Sequence, residues 1–126
     1  MNLNHVTLPS RDVAAGAAFY RALGLTQIVE SLPRYARFTL PSGDATLSLH
    51  LTEVPPGPTG VEIGLECEGL DEVVERLRRA GISIASGPVD QPWLWREARV
   101  VDPDGNVILL FWGGTVRRDP PWKITK

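Results

Sequence analysis

The sequence predicts an α+β fold made of two tandem modules, each with the element order β-α-β-β-β. Three observations predict it: a repeated opening pattern, one amphipathic helix in each copy, and turn residues that separate short extended segments. The chain has 126 residues, a length that suits one domain whose core can fold without disulfides.

The repeat aligns the segment 5–25 with the segment 62–82 without gaps. In both copies a short strand with alternating apolar residues leads into a polar turn. An amphipathic helix follows and stops at a glycine. Few residues are identical, but the order of these features is the same, which indicates one structural unit made twice.

Each copy contains one helix with recognisable ends. Asp12 or Ser10 can cap the first helix, and Asp71 falls in the first turn of the second. Gly24 and Gly81 stand where the residue after a helix commonly adopts a left-handed conformation.

Three extended segments are expected after each helix, separated by proline- and glycine-containing turns. The last of them is preceded by the turn 102–106, whose sequence is DPDGN. The predicted strands are 26–30, 35–40 and 45–52 in the first module, and 83–85, 97–101 and 107–112 in the second.

These elements divide the chain into module one at 1–53, a linker at 54–60 and module two at 61–113, all within a single domain 1–113. The linker is rich in proline and too short to separate two domains. The tail 114–126 is polar, and we expect it either to be disordered or to lie on a neighbouring surface.

Composition excludes several classes of partner. The net charge of −2 gives no basic field for nucleic acid or an anionic membrane, and no apolar run reaches the length of a membrane span. The single cysteine, Cys67, cannot form an internal disulfide, and the start of the chain has no signal-peptide pattern. We therefore expect a cytoplasmic protein with a small-molecule ligand.

Four motifs carry a resemblance to a known family: HVTL at 5–8, FYRALGL at 19–25, PWLWRE at 92–97 and DPDGN at 102–106. In these residues the chain resembles the glyoxalase/bleomycin resistance protein/dioxygenase (vicinal oxygen chelate) superfamily, over about residues 3–112. The resemblance implies that the two modules form a cup-shaped mixed sheet. It also implies a homodimer, since many members dimerise.

The resemblance further implies a set of candidate metal ligands. In metal-using members, ligands come from the first and last strand of each module. Carried over to this chain, they are His5, His50 and Glu62, and the fourth position, usually a glutamate, is Leu109. Two imidazoles and one carboxylate suit a divalent Zn, Ni, Fe, Mn or Co ion.

The placement of His50 depends on the alignment of two hairpins. It needs a gap of three residues, because a gapless alignment of Gly43 with Gly105 puts Leu47 opposite Leu109. A histidine on a strand is also commonly an ordinary hydrogen-bonded residue, so both interpretations stay open.

Other side chains are candidates for substrate contacts. Tyr35 and Arg37 share a strand face opposite apolar neighbours, and Arg37 could hold an anion or simply face solvent. Trp93 and Trp95 could stack on a planar ligand or pack against the sheet edge. Glu66 could be a general base or a solvated strand end.

Two functions follow from these candidates. The first is a metal-dependent lyase, isomerase or dioxygenase acting on a small substrate that chelates through adjacent oxygens. The second is a metal-free protein that binds a small molecule or drug, as bleomycin-resistance members do. The three candidate ligands favour the first function, and Leu109 favours the second. A structural or regulatory protein with a decayed site is a third interpretation.

Overall fold

The computed structural model describes residues 1–53 and 60–124 and confirms the β-α-β-β-β order in both modules. The predicted linker 54–60 lies, except for Gly60, outside the described residues. The first module contains β1 (His5–Ser10), α1 (Val13–Leu23), β2 (Thr26–Ser31), β3 (Tyr35–Thr39) and β4 (Thr46–Leu51). The second contains β5 (Glu62–Glu66), α2 (Leu70–Arg79), β6 (Ser86–Asp90), β7 (Arg96–Val101) and β8 (Val107–Trp112), followed by a 3-10 helix at Gly114–Arg117.

Each module forms its own four-stranded mixed sheet. The strand orders are β1-β4-β3-β2 and β5-β8-β7-β6, so the first and last strands of each module are neighbours, and they run parallel. The chain divides into two compact units. The first comprises Met1–Val61 with Val101–Asn106, and the second comprises Glu62–Val100 with Val107–Lys126.

In the first unit, α1 covers the apolar face of its sheet. The helix contacts β2, β3 and β4, and its Tyr20 is fully buried beside Phe38, with ring centroids 5.9 Å apart. Asp12 caps the helix, because its Oδ1 accepts a hydrogen bond from the Ala15 N–H at 3.1 Å. Gly24 ends it in the predicted left-handed conformation, with φ of 116°.

In the second unit, α2 packs its apolar stripe against β6 and β8. The buried residues of α2 are Leu70, Val74 and Leu77, and alternate residues of β8 such as Ile108 and Leu110 complete the same core. Among the described residues, no helix is long and apolar enough to cross a membrane.

The strand predicted at 83–85 is wrong, since the structure places β6 at Ser86–Asp90. The Gly87-Pro88 pair indicates a break in the sequence, but β6 is an edge strand, where proline is tolerated. Its pairing with β7 shifts between Ser86 and Val89, as in a bulge. A Cβ at Gly87 would lie 2.2 Å from the Glu97 carbonyl oxygen, so the close approach requires glycine.

The turn 102–106 belongs to the first compact unit and is organised by Asp102. This carboxylate is 4% exposed and accepts hydrogen bonds from the Tyr20 hydroxyl at 2.6 Å and the Asn106 side chain at 2.8 Å. The backbone N–H groups of Asp104 and Asn106 donate to its other oxygen, each at 2.9 Å. Four donors therefore satisfy one buried carboxylate, which ties the turn to α1.

We predict that Tyr20→Phe destabilises the protein and that Asp102→Ala does so more strongly. The first change removes one donor to a buried charge, an interaction that contributes about 1.5–3 kcal/mol, and the second removes the acceptor of all four. Urea unfolding followed by tryptophan fluorescence measures both. Glu75→Gln is the control. It breaks the exposed ion pair between Glu75 and Arg78, whose N–O distance is 4.0 Å, and should lower the free energy of unfolding by less than about 1 kcal/mol. Equal stability of Tyr20→Phe and the control would contradict the prediction.

Candidate functional site

Each sheet has a second face, opposite its helix, on which polar side chains gather. Because side chains alternate along a strand, the residues between the buried ones share this face. On the first sheet we call it the polar face, and its members are His5, Thr7, Tyr35, Arg37, Thr46, Ser48 and His50.

A chain of hydrogen bonds crosses the polar face. Arg37 Nε donates to the Tyr35 hydroxyl at 2.9 Å, and that hydroxyl lies 2.5 Å from Ser48 Oγ. Ser48 Oγ is in turn 3.4 Å from His5 Nε2, and His5 Nδ1 lies 2.6 Å from Thr46 Oγ1. Both ring nitrogens of His5 thus have protein partners.

Arg37, the first donor in this line of hydrogen bonds, favours the ionised form of Tyr35. Partial burial would raise the Tyr35 pKa, but hydrogen bonds with Ser48 and Arg37, together with the Arg37 charge, lower it below its ordinary value. The guanidinium also lies over the Tyr35 ring, with Cζ 5.4 Å from the centroid. Arg37 is therefore held against the sheet by a defined partner.

On the second sheet, Glu62 is engaged by Arg99. The guanidinium donates from Nε to one carboxylate oxygen at 2.5 Å and from Nη2 to the other at 3.3 Å. These hydrogen bonds lower the pKa of Glu62, against the opposing effect of partial burial. Arg99 Nη2 also lies 3.3 Å from Glu97 Oε1, and Glu97 is buried.

Trp93 and Trp95, the two tryptophans predicted to contact a substrate, differ in their surroundings. Trp95 stacks on Phe111, with ring centroids 4.4 Å apart and planes at 15°. Trp93 is 46% exposed, and its indole N–H donates to Glu97 Oε2 at 2.6 Å. Trp93 therefore keeps part of its ring accessible, whereas Trp95 is committed to packing.

Glu66 holds the start of the tail. Its Oε2 accepts hydrogen bonds from the backbone N–H groups of Gly113 at 3.1 Å and Gly114 at 2.9 Å, and its Oε1 lies 3.4 Å from Arg117 Nε. The carboxylate thus caps the 3-10 helix at Gly114–Arg117. A role as general base stays a prediction.

The strand register shows which residue of module one corresponds to Leu109 of module two. His5 pairs with Thr46 and Glu62 with Val107, so Ser48 is the counterpart of Leu109 and His50 is the counterpart of Phe111. The turn before β4 is therefore one residue longer than the turn before β8. Aligning His50 with Leu109 would need a difference of three residues.

His5 and His50 lie apart on the first sheet. His50 pairs with Pro9, four residues beyond His5 along the neighbouring strand, a separation of about 13 Å at roughly 3.3 Å per residue. Instead, the His50 ring contacts Tyr35, with centroids 6.4 Å apart. Within residues 1–53 and 60–124, no group of three or more His, Cys, Asp or Glu side chains could hold a metal. Metal binding by His5, His50 and Glu62 stays a prediction.

Ser48, Glu97 and Arg99 belong to these faces but were not among the residues predicted to contact a metal or substrate. Strand alternation could have found them, because Ser48 shares a face with His50, and Glu97 and Arg99 alternate on β7. Histidine drew attention to β4 because its chemistry is more distinctive than that of serine.

Comparison with known proteins identifies relatives of this architecture. Residues 2–110 match the family model described as the Glyoxalase/Bleomycin resistance protein/Dioxygenase superfamily. No curated protein matches the chain significantly by sequence.

Solved structures share the fold over most of the chain. A bleomycin-binding protein complexed with bleomycin is 27% identical, with a TM-score of 0.71, covering 89% of this chain and 98% of that one. A bleomycin resistance determinant encoded on the transposon Tn5 is 26% identical, with a TM-score of 0.73 and coverage of 90% and 99%. A lactoylglutathione lyase from Agrobacterium tumefaciens, 18% identical with a TM-score of 0.73 and coverage of 89% and 93%, shares the fold.

We predict that the two tyrosines of the chain ionise in well-separated steps. Tyr35 should ionise first, below the ordinary value of about 10, because Ser48 and Arg37 favour its anion. Burial and the Asp102 charge raise the pKa of Tyr20, so its contribution to stability is lost as the pH rises above about 10 and it ionises as the fold opens. Absorbance at 295 nm follows both steps.

Two variants assign the first step. Tyr35→Phe should delete it, and Arg37→Gln should move it to higher pH. Arg34→Gln, which removes an exposed positive charge one residue before β3, is the matched control and should leave the step in place. A first ionisation step that occurs at the same pH in Arg37→Gln as in the wild type would contradict the prediction.

Proposed function

This chain belongs to the glyoxalase/bleomycin resistance protein/dioxygenase superfamily, and from that premise we propose that it binds a small organic molecule without a metal cofactor. The observation that carries the proposal is the content of the four ligand positions. By strand register, the corresponding positions are His5 and Ser48 in module one, and Glu62 and Leu109 in module two.

Two of these residues are poor or incapable ligands, and the other two already have protein partners. Leu109 has no donor atom, and a neutral serine hydroxyl is a weak ligand beside the imidazole and carboxylate groups that divalent ions prefer. His5 is hydrogen-bonded through both ring nitrogens, and Arg99 neutralises Glu62. Binding a metal would require breaking these contacts.

The ligand contacts that we propose come from each face separately. On the first sheet, Arg37 and Tyr35 present a guanidinium and a hydroxyl that are already oriented by their mutual hydrogen bond. On the second, Trp93 offers an exposed aromatic ring, and Trp95 supports the surface through its stacking on Phe111. Pre-oriented side chains of this kind lower the entropic cost of binding.

The relatives supply a probe for this proposal. The two bleomycin proteins are 26–27% identical to this chain and align over nearly all of their own length. Bleomycin is therefore a reasonable first ligand to test.

The alternative is a metal-dependent lyase, isomerase or dioxygenase that uses His5, His50 and Glu62 as ligands and Glu66 as a base. Exposed rings at His5 and His50 leave both accessible to an ion from solvent. The metal experiment below separates the two functions. A homodimer in the cytoplasm is also part of the proposal, and the single cysteine, partly buried Cys67, suits a reducing compartment.

We predict saturable binding of metal-free bleomycin in the presence of EDTA, measured by isothermal titration calorimetry. Trp93→Ala should weaken binding by up to about tenfold, since an aromatic stacking contact contributes about 0.5–1.5 kcal/mol. Trp122→Ala removes another exposed tryptophan, from the tail, and serves as the matched control with unchanged affinity. Binding that appears only after a divalent metal is added would overturn the proposal.

We also predict that the purified protein retains far less than one divalent ion per chain. The protein is incubated in turn with Zn, Ni, Fe, Mn or Co salts and desalted, and its metal content is then measured by mass spectrometry. A stoichiometric ion that is lost in His5→Ala would favour the metal-dependent enzyme instead. His50→Ala in the same assay tests whether His50 belongs to such a site.

A further inference from the structure

Glu97 is a buried carboxylate with one oxygen that lacks a hydrogen-bond donor. The residue is 4% exposed, and its Oε2 accepts the Trp93 indole N–H at 2.6 Å. Its Oε1 is buried and has no hydrogen-bond partner among the described residues. Arg99 Nη2 lies 3.3 Å from this oxygen and forms an ion pair with it.

An unsatisfied charged acceptor is costly inside a protein. Leaving such an oxygen without a donor is unfavourable, because the hydrogen bonds it made with water are not replaced. Buried polar groups without partners are uncommon in folded proteins, and binding sites are one of the places where they occur. Glu97 Oε1 is therefore a position at which an incoming donor would be favoured.

The charges around Glu97 select the sign of the incoming group. Arg99 directs its aligned hydrogen bonds to Glu62, so one guanidinium is shared between two carboxylates. Glu62, Glu97 and Arg99 together carry one net negative charge. A cation with N–H donors neutralises the net negative charge and also donates a hydrogen bond to Glu97 Oε1. A neutral donor supplies only the hydrogen bond.

Trp93, which donates a hydrogen bond to Glu97, is carried by a turn with an unusual backbone conformation. Among the described residues, Leu94 is the only non-glycine residue with a positive φ, 71°, and it is 53% exposed. A non-glycine residue in the left-handed region is strained, and such residues often lie in ligand-binding segments. The turn that carries Trp93 therefore lies at the surface, outside the buried core.

We propose that Glu97 anchors a planar organic cation, such as an amidinium or guanidinium group, and that Trp93 covers this anchor until the ligand binds. The cation donates a hydrogen bond to Glu97 Oε1, and the Trp93 ring lies against the ligand by stacking and cation–π attraction. This inference rests on the proposed small-molecule binding and adds the chemical class of the ligand.

The test compares two probes of nearly equal shape, benzamidine as its amidinium cation and benzamide as its neutral analogue. Calorimetry at neutral pH should show that the cation binds the wild-type protein at least about tenfold more tightly, as expected for a hydrogen bond to a charged group. Glu97→Gln keeps the size of the side chain and the acceptor for Trp93 but removes the charge, and it should abolish this preference.

A matched control separates a local anchor from the general effect of charge. Glu68→Gln removes one negative charge from an exposed turn of the same unit and should preserve the preference for the cation. The anchor would be overturned if the two probes bound the wild type with equal affinity or if neither bound. It would also be overturned if Glu97→Gln and Glu68→Gln lost the preference for the cation equally. Binding of bleomycin in EDTA is measured in parallel, so a failed anchor is distinguished from a failed proposed function.

A second measurement needs no change at Glu97. In a ¹⁵N-labelled protein the indole N–H signal of Trp93 is identified by its absence in Trp93→Phe. Benzamidine should shift this signal and benzamide should not, because only the cation competes for the carboxylate that the indole binds. A Trp93 signal that stays in place at saturating benzamidine would overturn the proposed cover.

Discussion

The fold depends on the buried carboxylate of Asp102. It is satisfied by four donors and binds the turn 102–106 to helix α1 through the fully buried Tyr20 hydroxyl. Strand β7 ends and β8 begins at this turn. The hydrogen bonds of Asp102 therefore fix the turn that joins these two strands, and all of their partners belong to the first compact unit. A buried charge can do this only when all its hydrogen bonds are made, which is why the geometry of the turn is so tightly defined.

With the helices on one face of each sheet, the opposite faces are available for binding. On the first sheet a line of hydrogen bonds from Arg37 through Tyr35 and Ser48 to His5 orients the side chains. On the second, a guanidinium stands between two carboxylates. Both faces satisfy most of their own polar groups, and this internal pairing supports the proposal of a function without a metal. A shared fold allows this, since function depends on a few side chains rather than on the architecture.

Local signals explain why so much of the fold was predictable. Capping by Asp12, the left-handed Gly24 and the DPDGN turn are each written within a few residues, and the repeat doubles the evidence. The edge strand β6 was misplaced because its Gly87-Pro88 pair looks like a break unless its position in the sheet is known.

By itself, the sequence determined the two modules, their helices, most of their strands and the polar faces, because alternation and capping act over short distances. Only the tertiary structure decided which residues meet on those faces. Strand register made Ser48 rather than His50 the counterpart of Leu109 in the repeat, since a difference of one residue in a hairpin reassigns every pair beyond it. It also brought Arg99 to Glu62, 37 positions apart in the chain, and left one oxygen of the buried Glu97 without a donor. Pairing over such distances depends on how strands lie side by side, which no short stretch of sequence encodes.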